Sequence, residues 1–496
     1  MVASAPPLRA APRRGAWVGR AIVLVLGAIG GAALWATSWP GHRETGNWFF
    51  PVSWRGLDAS PWALAFALPI PVLAIAAMRA ASARRHARAL ALLVMTSLAA
   101  QGASLLLVGP SLETALDRFA GGHAEFLVAA HAHEGRIAET IRAYPERVAE
   151  GALGGFAPSK PPGTFAYYAL IDRIGGDETF RALVRPLREL VWARPPLRRI
   201  VDGATAGIVL FPISTALVVL PLVLLGLALT GRTSVGYDAA LLWATCPVVL
   251  VITHHTDGAL YPAIATLACA LAGLGARRGS IVLSMLGGAT LGLGLWCNYG
   301  LLPVIGLALG AQIVASIDVV RGLGARRVIA RSAAHVVALV AGLALGLGAL
   351  IGGGWFPEPI EGYHTAIDYH YRWKLGFVGG RWGLTGGLEF WAWTGLPMFL
   401  AFLVACLRSL RVVRVPAHRA LALATLGLLA VHLVVMLYAG SNESARLWLF
   451  QVPFFATVIA ADLRIASPVG RPRFLLALAV MANLVLVPMT RAGQVW

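Results

Sequence analysis

Residues 203–230 read GATAGIVLFPISTALVVLPLVLLGLALT, twenty-eight positions without a charged side chain. An α-helix needs only about 20 apolar residues to cross a bilayer. The rest of the chain repeats the theme. Hydrophobic residues fill 58% of its 496 positions and charged residues 13%, against about 25% charged in an ordinary soluble domain. Mean hydropathy is +0.72. A soluble fold cannot hide that much apolar surface, whereas lipid can. The composition therefore predicts an all-α polytopic membrane protein.

Working outward with a window of about 19 residues, candidate spans fall near 17–38, 62–80, 89–108, 203–230, 236–254, 258–275, 281–297, 300–318, 333–352, 388–407, 420–439, 447–463 and 474–490. That makes about thirteen, within a range of eleven to fourteen. Pro212, Pro221, Pro247 and Pro303 lie inside spans, which membrane helices tolerate when neighbours satisfy the freed carbonyls. No soluble domain interrupts the chain, so residues 1–496 are expected to form one integral membrane domain.

The formal charge of +18 is a nucleic-acid signal only if the charges form one patch. Here they fall in short clusters between apolar runs, so no nucleic-acid partner is expected. With Arg9, Arg13 and Arg14 cytoplasmic, alternate loops place Arg84, Arg85 and Arg88, then Arg277 and Arg278, then Arg326, Arg327 and Arg331 on the same side. Arg408, Arg411 and Arg414, and finally Arg464, Arg471 and Arg473, follow them. This satisfies the positive-inside rule. The expected setting is a membrane crossed many times, with a cytoplasmic N-terminus. The longer loops 109–202 and 353–387 then face outside. The arginines of 173–199 are an exception there, and they suit amphipathic helices lying along the interface. Cys246, Cys269, Cys297 and Cys406 sit in or beside apolar runs without metal-ligand spacing and read as buried small side chains.

The polar sequence that could carry chemistry lies mostly on the outer side. Loop 109–202 contains Gly121-Gly122-His123-Ala124-Glu125-Phe126 and, later, Ser159-Lys160-Pro161-Pro162-Gly163-Thr164. Two ring-locked prolines followed by glycine end any helix and fix where the next one starts. Three short stretches share the outer side: Thr256-Asp257-Gly258-Ala259-Leu260, Asn298-Tyr299-Gly300 and Glu443-Ser444-Ala445-Arg446-Leu447-Trp448. His131 and His133, two apart, point to different helix faces and read as solvated residues, so no metal site built from protein side chains alone is expected. Loop 353–387 mixes rings and cations, among them Trp355, Tyr363, Tyr369, Trp373 and Lys374. Such a mix suits an interfacial belt and equally sugar stacking.

In order and placement these stretches resemble the GT-C superfamily of membrane glycosyltransferases, which includes protein O-mannosyltransferases and lipid A aminoarabinose transferases. That family has an early external acidic motif, interfacial helices and a His-Pro-Pro-Gly-like turn, where this chain has Lys160. The resemblance, whose motifs fit bacterial members, implies a glycosyltransferase, a hexosyl- or pentosyltransferase, of the bacterial cytoplasmic (inner) membrane that moves a sugar from a polyprenyl-phosphate donor to a glycan, lipid or protein acceptor outside that membrane. An acceptor hydroxyl needs a base, and a carboxylate partly buried at the surface can take the proton. Glu125 is the first choice, with Asp117 and Asp58 in reserve. The leaving phosphate needs fixed positive charge, which Lys160 and Arg446 can supply, with Glu443 orienting Arg446. Asp257 and Tyr299 complete the expected substrate-binding set. No resident cofactor is expected, though a divalent cation could accompany the donor phosphate. The alternative is a transporter or lipid flippase, which would bury ionisable residues mid-span and break helices near the bilayer centre. The ionisable residues read as lying at the outer ends of spans, which favours the enzyme.

Overall fold

The computed structural model describes residues 16–36, 61–107, 116, 124–252, 258, 260–320, 325–373, 381–439, 448–467 and 473–492. Among these, regular structure is helical throughout, as the composition demands. The N-terminal helices are α1 (Ala16–Ala36), α2 (Pro61–Ala67), α3 (Pro69–Ser82) and α4 (His86–Leu105). Six short helices follow: α5 (Glu125–Ala132), α6 (Ile137–Arg142), α7 (Tyr144–Ala149), α8 (Pro162–Gly175), α9 (Glu178–Leu183) and α10 (Arg185–Trp192). The bundle resumes with α11 (Val201–Leu217), α12 (Val219–Thr230), α13 (Thr233–Ala244), α14 (Pro247–Ile252), α15 (Leu260–Arg278), α16 (Ile281–Cys297), α17 (Pro303–Val319) and α18 (Ala325–Gly352). It ends with α19 (Pro359–Trp373), α20 (Arg381–Thr394), α21 (Leu396–Val412), α22 (Pro416–Ala439), α23 (Val452–Ala466) and α24 (Phe474–Ala492).

Nine helical stretches among the described residues are long and apolar enough to span a membrane, or ten if α20 and α21 count as one bent span. The remaining sequence-derived spans are present in shorter form. Of the expected span 236–254, the described residues 236–252 are split into α13 and α14 ahead of Pro247, whose ring cannot donate a helical hydrogen bond. α16 has 17 residues, and the apolar part of α24 runs over Phe474–Val487. The opening run 203–230 is itself jointed at Val218. Pro221 frees the carbonyl of Leu217 there, and the Trp243 indole donates to the nearby Thr215 carbonyl at 3.1 Å.

Large apolar side chains on the outside of the spans, such as Leu26, Ile29, Val72, Val282, Val337 and Leu437, are exposed, as a lipid-facing surface requires. Residues 116–211 form a second, smaller apolar core around Leu127, Phe165, Tyr168, Val191 and Leu197. On its outside Leu183, Leu190 and Trp192 are exposed, an apolar face suited to lying along the membrane surface. The arginines there are partly neutralised, since Arg181 and Arg188 each donate to Asp202 at 2.6 Å.

Three carboxylates correct the expectation that ionisable groups lie at the outer ends of spans. Asp462 bridges Arg20 and Arg408, at 2.9 Å each. Asp238 bridges Arg464 at 3.2 Å and Arg473 at 3.1 Å. Arg277 donates to Asp318 at 2.8 Å. All three lie at helix ends that carry the arginine clusters, so these ties clamp α1, α13, α15, α17, α21, α23 and α24 together. Removing one partner of a buried pair costs about 3–5 kcal/mol, and the Asp462 side chain is 5% exposed. Asp462→Asn should therefore lower the unfolding temperature sharply in detergent. Glu189→Gln, in a pair whose side chains are 79% and 68% exposed, should change it little, within about 1 kcal/mol.

Candidate active site at the end opposite the arginine clusters

α15 runs from Leu260 to Arg278, so Tyr261 and Arg277 stand about 24 Å apart along its axis. The Tyr261 end is where the sequence-derived site residues gather.

Glu125 opens α5, in the first turn, where the helix dipole favours an anion. The carboxylate is half-buried, and its Oε2 accepts the Phe156 backbone N–H at 3.3 Å. Gly154 passes directly beneath. Its φ is +93°, and a Cβ there would stand 2.8 Å from Glu125 Oε2. Glycine is thus required both by backbone conformation and by room for the carboxylate. Tyr369 of α19 lies within the field of Glu125. Burial raises its phenol pKa, and the Glu125 charge adds to the rise.

From Phe156 the chain makes a short 3-10 turn over Ala157–Ser159 and becomes extended at Lys160 and Pro161. The Tyr144 hydroxyl donates to the Lys160 carbonyl at 3.2 Å, and burial pushes that phenol well above its ordinary pKa. The Lys160 ammonium lies 5.8 Å from the centre of the Tyr261 ring, within cation–π range.

Pro162 then starts α8, and the turn docks on the end of α16. Thr164 Oγ1 donates to the Cys297 carbonyl at 2.6 Å. A Cβ on Gly163 would collide with the Trp296 carbonyl. Immediately beyond, Asn298 Oδ1 accepts from Gly300 N at 2.7 Å and shapes the turn that presents Tyr299. The Tyr299 ring packs on Phe356 and Tyr363, with centroids 6.2 and 5.6 Å away. Trp296 Nε1 donates to the Trp355 carbonyl at 2.6 Å. The fold thus brings Glu125, Lys160 and Tyr299 to one end of the bundle, around the junction of α5, α8, α15, α16 and α19.

Asp58, Asp117, Asp257, Glu443 and Arg446 lie outside the described residues. Their motifs are represented by neighbours. Tyr261 follows the Thr256–Leu260 stretch, and buried Trp448 closes the Glu443–Trp448 stretch beside Phe390 and His432. Sequence reading named Tyr363 and Tyr369 within the aromatic loop but missed Tyr144, Tyr261 and Gly154. Only Tyr261 had a local signal, its place next to a quoted motif.

His131, read as solvated, is half exposed and reaches Asp172 Oδ2 at 3.3 Å. Among the described residues, no group of three or more His, Cys, Asp or Glu could hold a metal. The four cysteines are buried and free. Burial holds the Asp172 carboxyl above the usual carboxylate range, with His131 pulling it back.

No family model matches the chain, and no curated protein matches its sequence. Two crystal structures of the oligosaccharyltransferase of Archaeoglobus fulgidus are similar in part. The one with zinc and sulfate gives a TM-score of 0.37 at 12% identity, over 67% of this chain and 44% of that one. The apo form gives 0.39 at 13% identity, over 67% and 48%. The chain spans under half the length of those structures.

Two predictions follow from the site's geometry. Gly163→Val should push the turn off α16, lowering the unfolding temperature and raising the protease sensitivity of residues 150–165. Asp172 has a folded pKa above its unfolded one, so the folded state keeps that proton to higher pH. Its contribution to stability is therefore lost as pH rises above the ordinary carboxylate value of about 3.9. Asp172→Asn should flatten this decline in melting curves taken from about pH 4 to 6.

Proposed function

We propose that the protein is a membrane glycosyltransferase of the GT-C type. It takes a sugar from a polyprenyl-phosphate donor at the end of the bundle opposite the arginine clusters and passes it to a cell-envelope acceptor. The observation that carries this reading is the convergence of the Glu125, Lys160 and Tyr299 stretches, far apart in sequence, on one surface junction beside an aromatic loop. In this reading, and in keeping with the positive-inside rule, that junction faces outward from the cytoplasmic membrane.

In this reading Glu125 takes the proton from the acceptor hydroxyl as the new glycosidic bond forms. It is held for the task by the Phe156 N–H and by the space that Gly154 leaves. Lys160 meets the donor phosphate and stabilises the negative charge that develops as the sugar–phosphate bond breaks. Tyr299, Tyr363 and Tyr369 offer ring faces and hydroxyls for the sugar. Arg446, Glu443 and Asp257 are assigned to the donor head group by their motifs, with Asp117 and Asp58 as reserve bases. A divalent cation bound with the phosphate is compatible with this scheme.

The transporter or flippase reading has in its favour the 108° break between α20 and α21, the break ahead of Pro247 and the buried Glu389 of α20. Three buried aspartates speak against it. Asp238, Asp318 and Asp462 are paired with arginine at helix ends rather than aligned along a path.

The test is transfer of radiolabelled sugar from polyprenyl-phosphate donors to a cell-envelope extract in proteoliposomes. The intact chain should transfer. Glu125→Gln should lose about 10²–10⁴-fold in rate at unchanged expression, and Lys160→Met about 10²-fold. Transfer undiminished by Glu125→Gln would move the base to Asp117 or Asp58. No transfer by the intact chain, with competent donor and acceptor, would contradict the enzyme reading.

A further inference from the structure

Residues 173–199 hold seven arginines against three carboxylates, Asp177, Glu178 and Glu189. Their place along the bundle follows from α11 and α12. Near the end of α12 the Ala228 carbonyl accepts from Arg277 at 2.8 Å, so that end lies with the arginine clusters. From Val201 to Thr230 the two helices measure about 45 Å along their axes, which matches a bilayer with its headgroup layers, about 40–45 Å. Val201 therefore stands at headgroup level on the opposite side, the side of Glu125. Arg198 and Arg199 come just before it.

Asp202, in the first turn of α11, gathers the neighbouring segments. Arg181 of α9 and Arg188 of α10 both donate to it, at 2.6 Å each. A Cβ on Gly175 would collide with the Asp202 carbonyl, so the end of α8, which carries Arg173, is seated there as well. Arg198 donates its Nε–H to the Trp192 carbonyl at 3.2 Å. One carboxylate thus serves two guanidinium groups, and a neutral carbonyl serves a third. Arg173 and Arg199 are exposed and pair with no carboxylate among the described residues. The result is a surface with uncompensated positive charge.

The same surface is apolar in part. Leu183 is 80% exposed, Leu190 51% and Trp192 52%. Exposed leucine and tryptophan beside excess arginine bind a membrane surface through apolar burial together with attraction to anionic lipid. A zwitterionic layer would leave the excess charge without a partner. The arginines are spread over several short helices rather than converging on one point, which suits a layer of headgroups and not a single free anion.

We propose that Arg173, Arg198 and Arg199, with Leu183, Leu190 and Trp192, form a binding surface for anionic phospholipid in the leaflet at the Glu125 end of the bundle. The headgroup phosphates meet the guanidinium groups, and the leucines and the indole reach the glycerol and upper acyl level. This binding is independent of the chemistry proposed for Glu125.

The test uses the full chain in nanodiscs of phosphatidylcholine and phosphatidylglycerol in equal amounts, with bromine on one lipid or the other. The four native cysteines are buried, so Ala193→Cys, at an exposed position beside Trp192, can carry a fluorophore that bromine quenches. Quenching by brominated phosphatidylglycerol should exceed that by brominated phosphatidylcholine about fivefold, the factor that one arginine supplies near an anionic surface. The preference should shrink as NaCl rises and survive inorganic phosphate at matched ionic strength. In Arg198→Gln/Arg199→Gln the two lipids should quench equally. Arg326→Gln/Arg327→Gln, at the other end of the bundle, should leave the preference intact. Equal quenching in the parent, quenching by neither lipid, erasure by inorganic phosphate, or full preference in Arg198→Gln/Arg199→Gln would each overturn the proposal. Should that double variant fail to fold, Arg173→Gln decides: partial loss of the preference supports the surface, and full retention overturns it.

Discussion

The seat of the Pro161–Thr164 turn on the end of α16 is the contact on which the proposed site depends. A single hydrogen bond, Thr164 Oγ1 to the Cys297 carbonyl at 2.6 Å, joins residues 133 apart in sequence. The backbones approach closely enough that Gly163 has no room for a side chain. The contact fixes Lys160 on one side and Tyr299 on the other, since each is within a few residues of it. It also fastens the small apolar core of residues 116–211 to the main bundle. Glu125, supported from below by Gly154 and Phe156, is carried along with that core.

The opposite end of the bundle obeys a different logic. Lipid cannot hydrate a carboxylate, so each buried aspartate there is held by arginine. Asp238 and Asp462 each sit between two guanidinium groups. The excess positive charge is what the positive-inside rule reads from outside the fold. Rigid ties thus hold one end of the bundle and a loop-built junction forms the other.

Much of the architecture was legible in sequence because lipid imposes a one-dimensional rule: long apolar runs must be helices. What hydropathy cannot see is a joint. Residues 203–230 and 388–407 read as unbroken, yet Val218, beside Pro221, and Gly395 interrupt them, and the φ of +104° at Gly395 leaves no trace in side-chain polarity. Pro247 was visible, but whether a proline merely kinks a span or splits it depends on neighbours. At the site, motif order foretold that Lys160 and Tyr299 share a region. Tyr144, and the approach of Tyr369 to Glu125, were not foreseeable, because these contacts are made by chain segments that only the fold brings together. The same holds for Asp462 and Arg20, which lie 442 residues apart.

The central claim is that the junction around Lys160 and Tyr261 receives the donor's phosphate and sugar. The most direct measurement is site-specific photo-crosslinking. A benzoyl-phenylalanine would be placed at Tyr261 or, as a control, at Val412 beside the arginine-bearing end, and irradiated with a radiolabelled polyprenyl-phosphate sugar in proteoliposomes. The account predicts labelling from position 261, competed by unlabelled donor, and none from position 412. Competable labelling at 412 with none at 261 would contradict it.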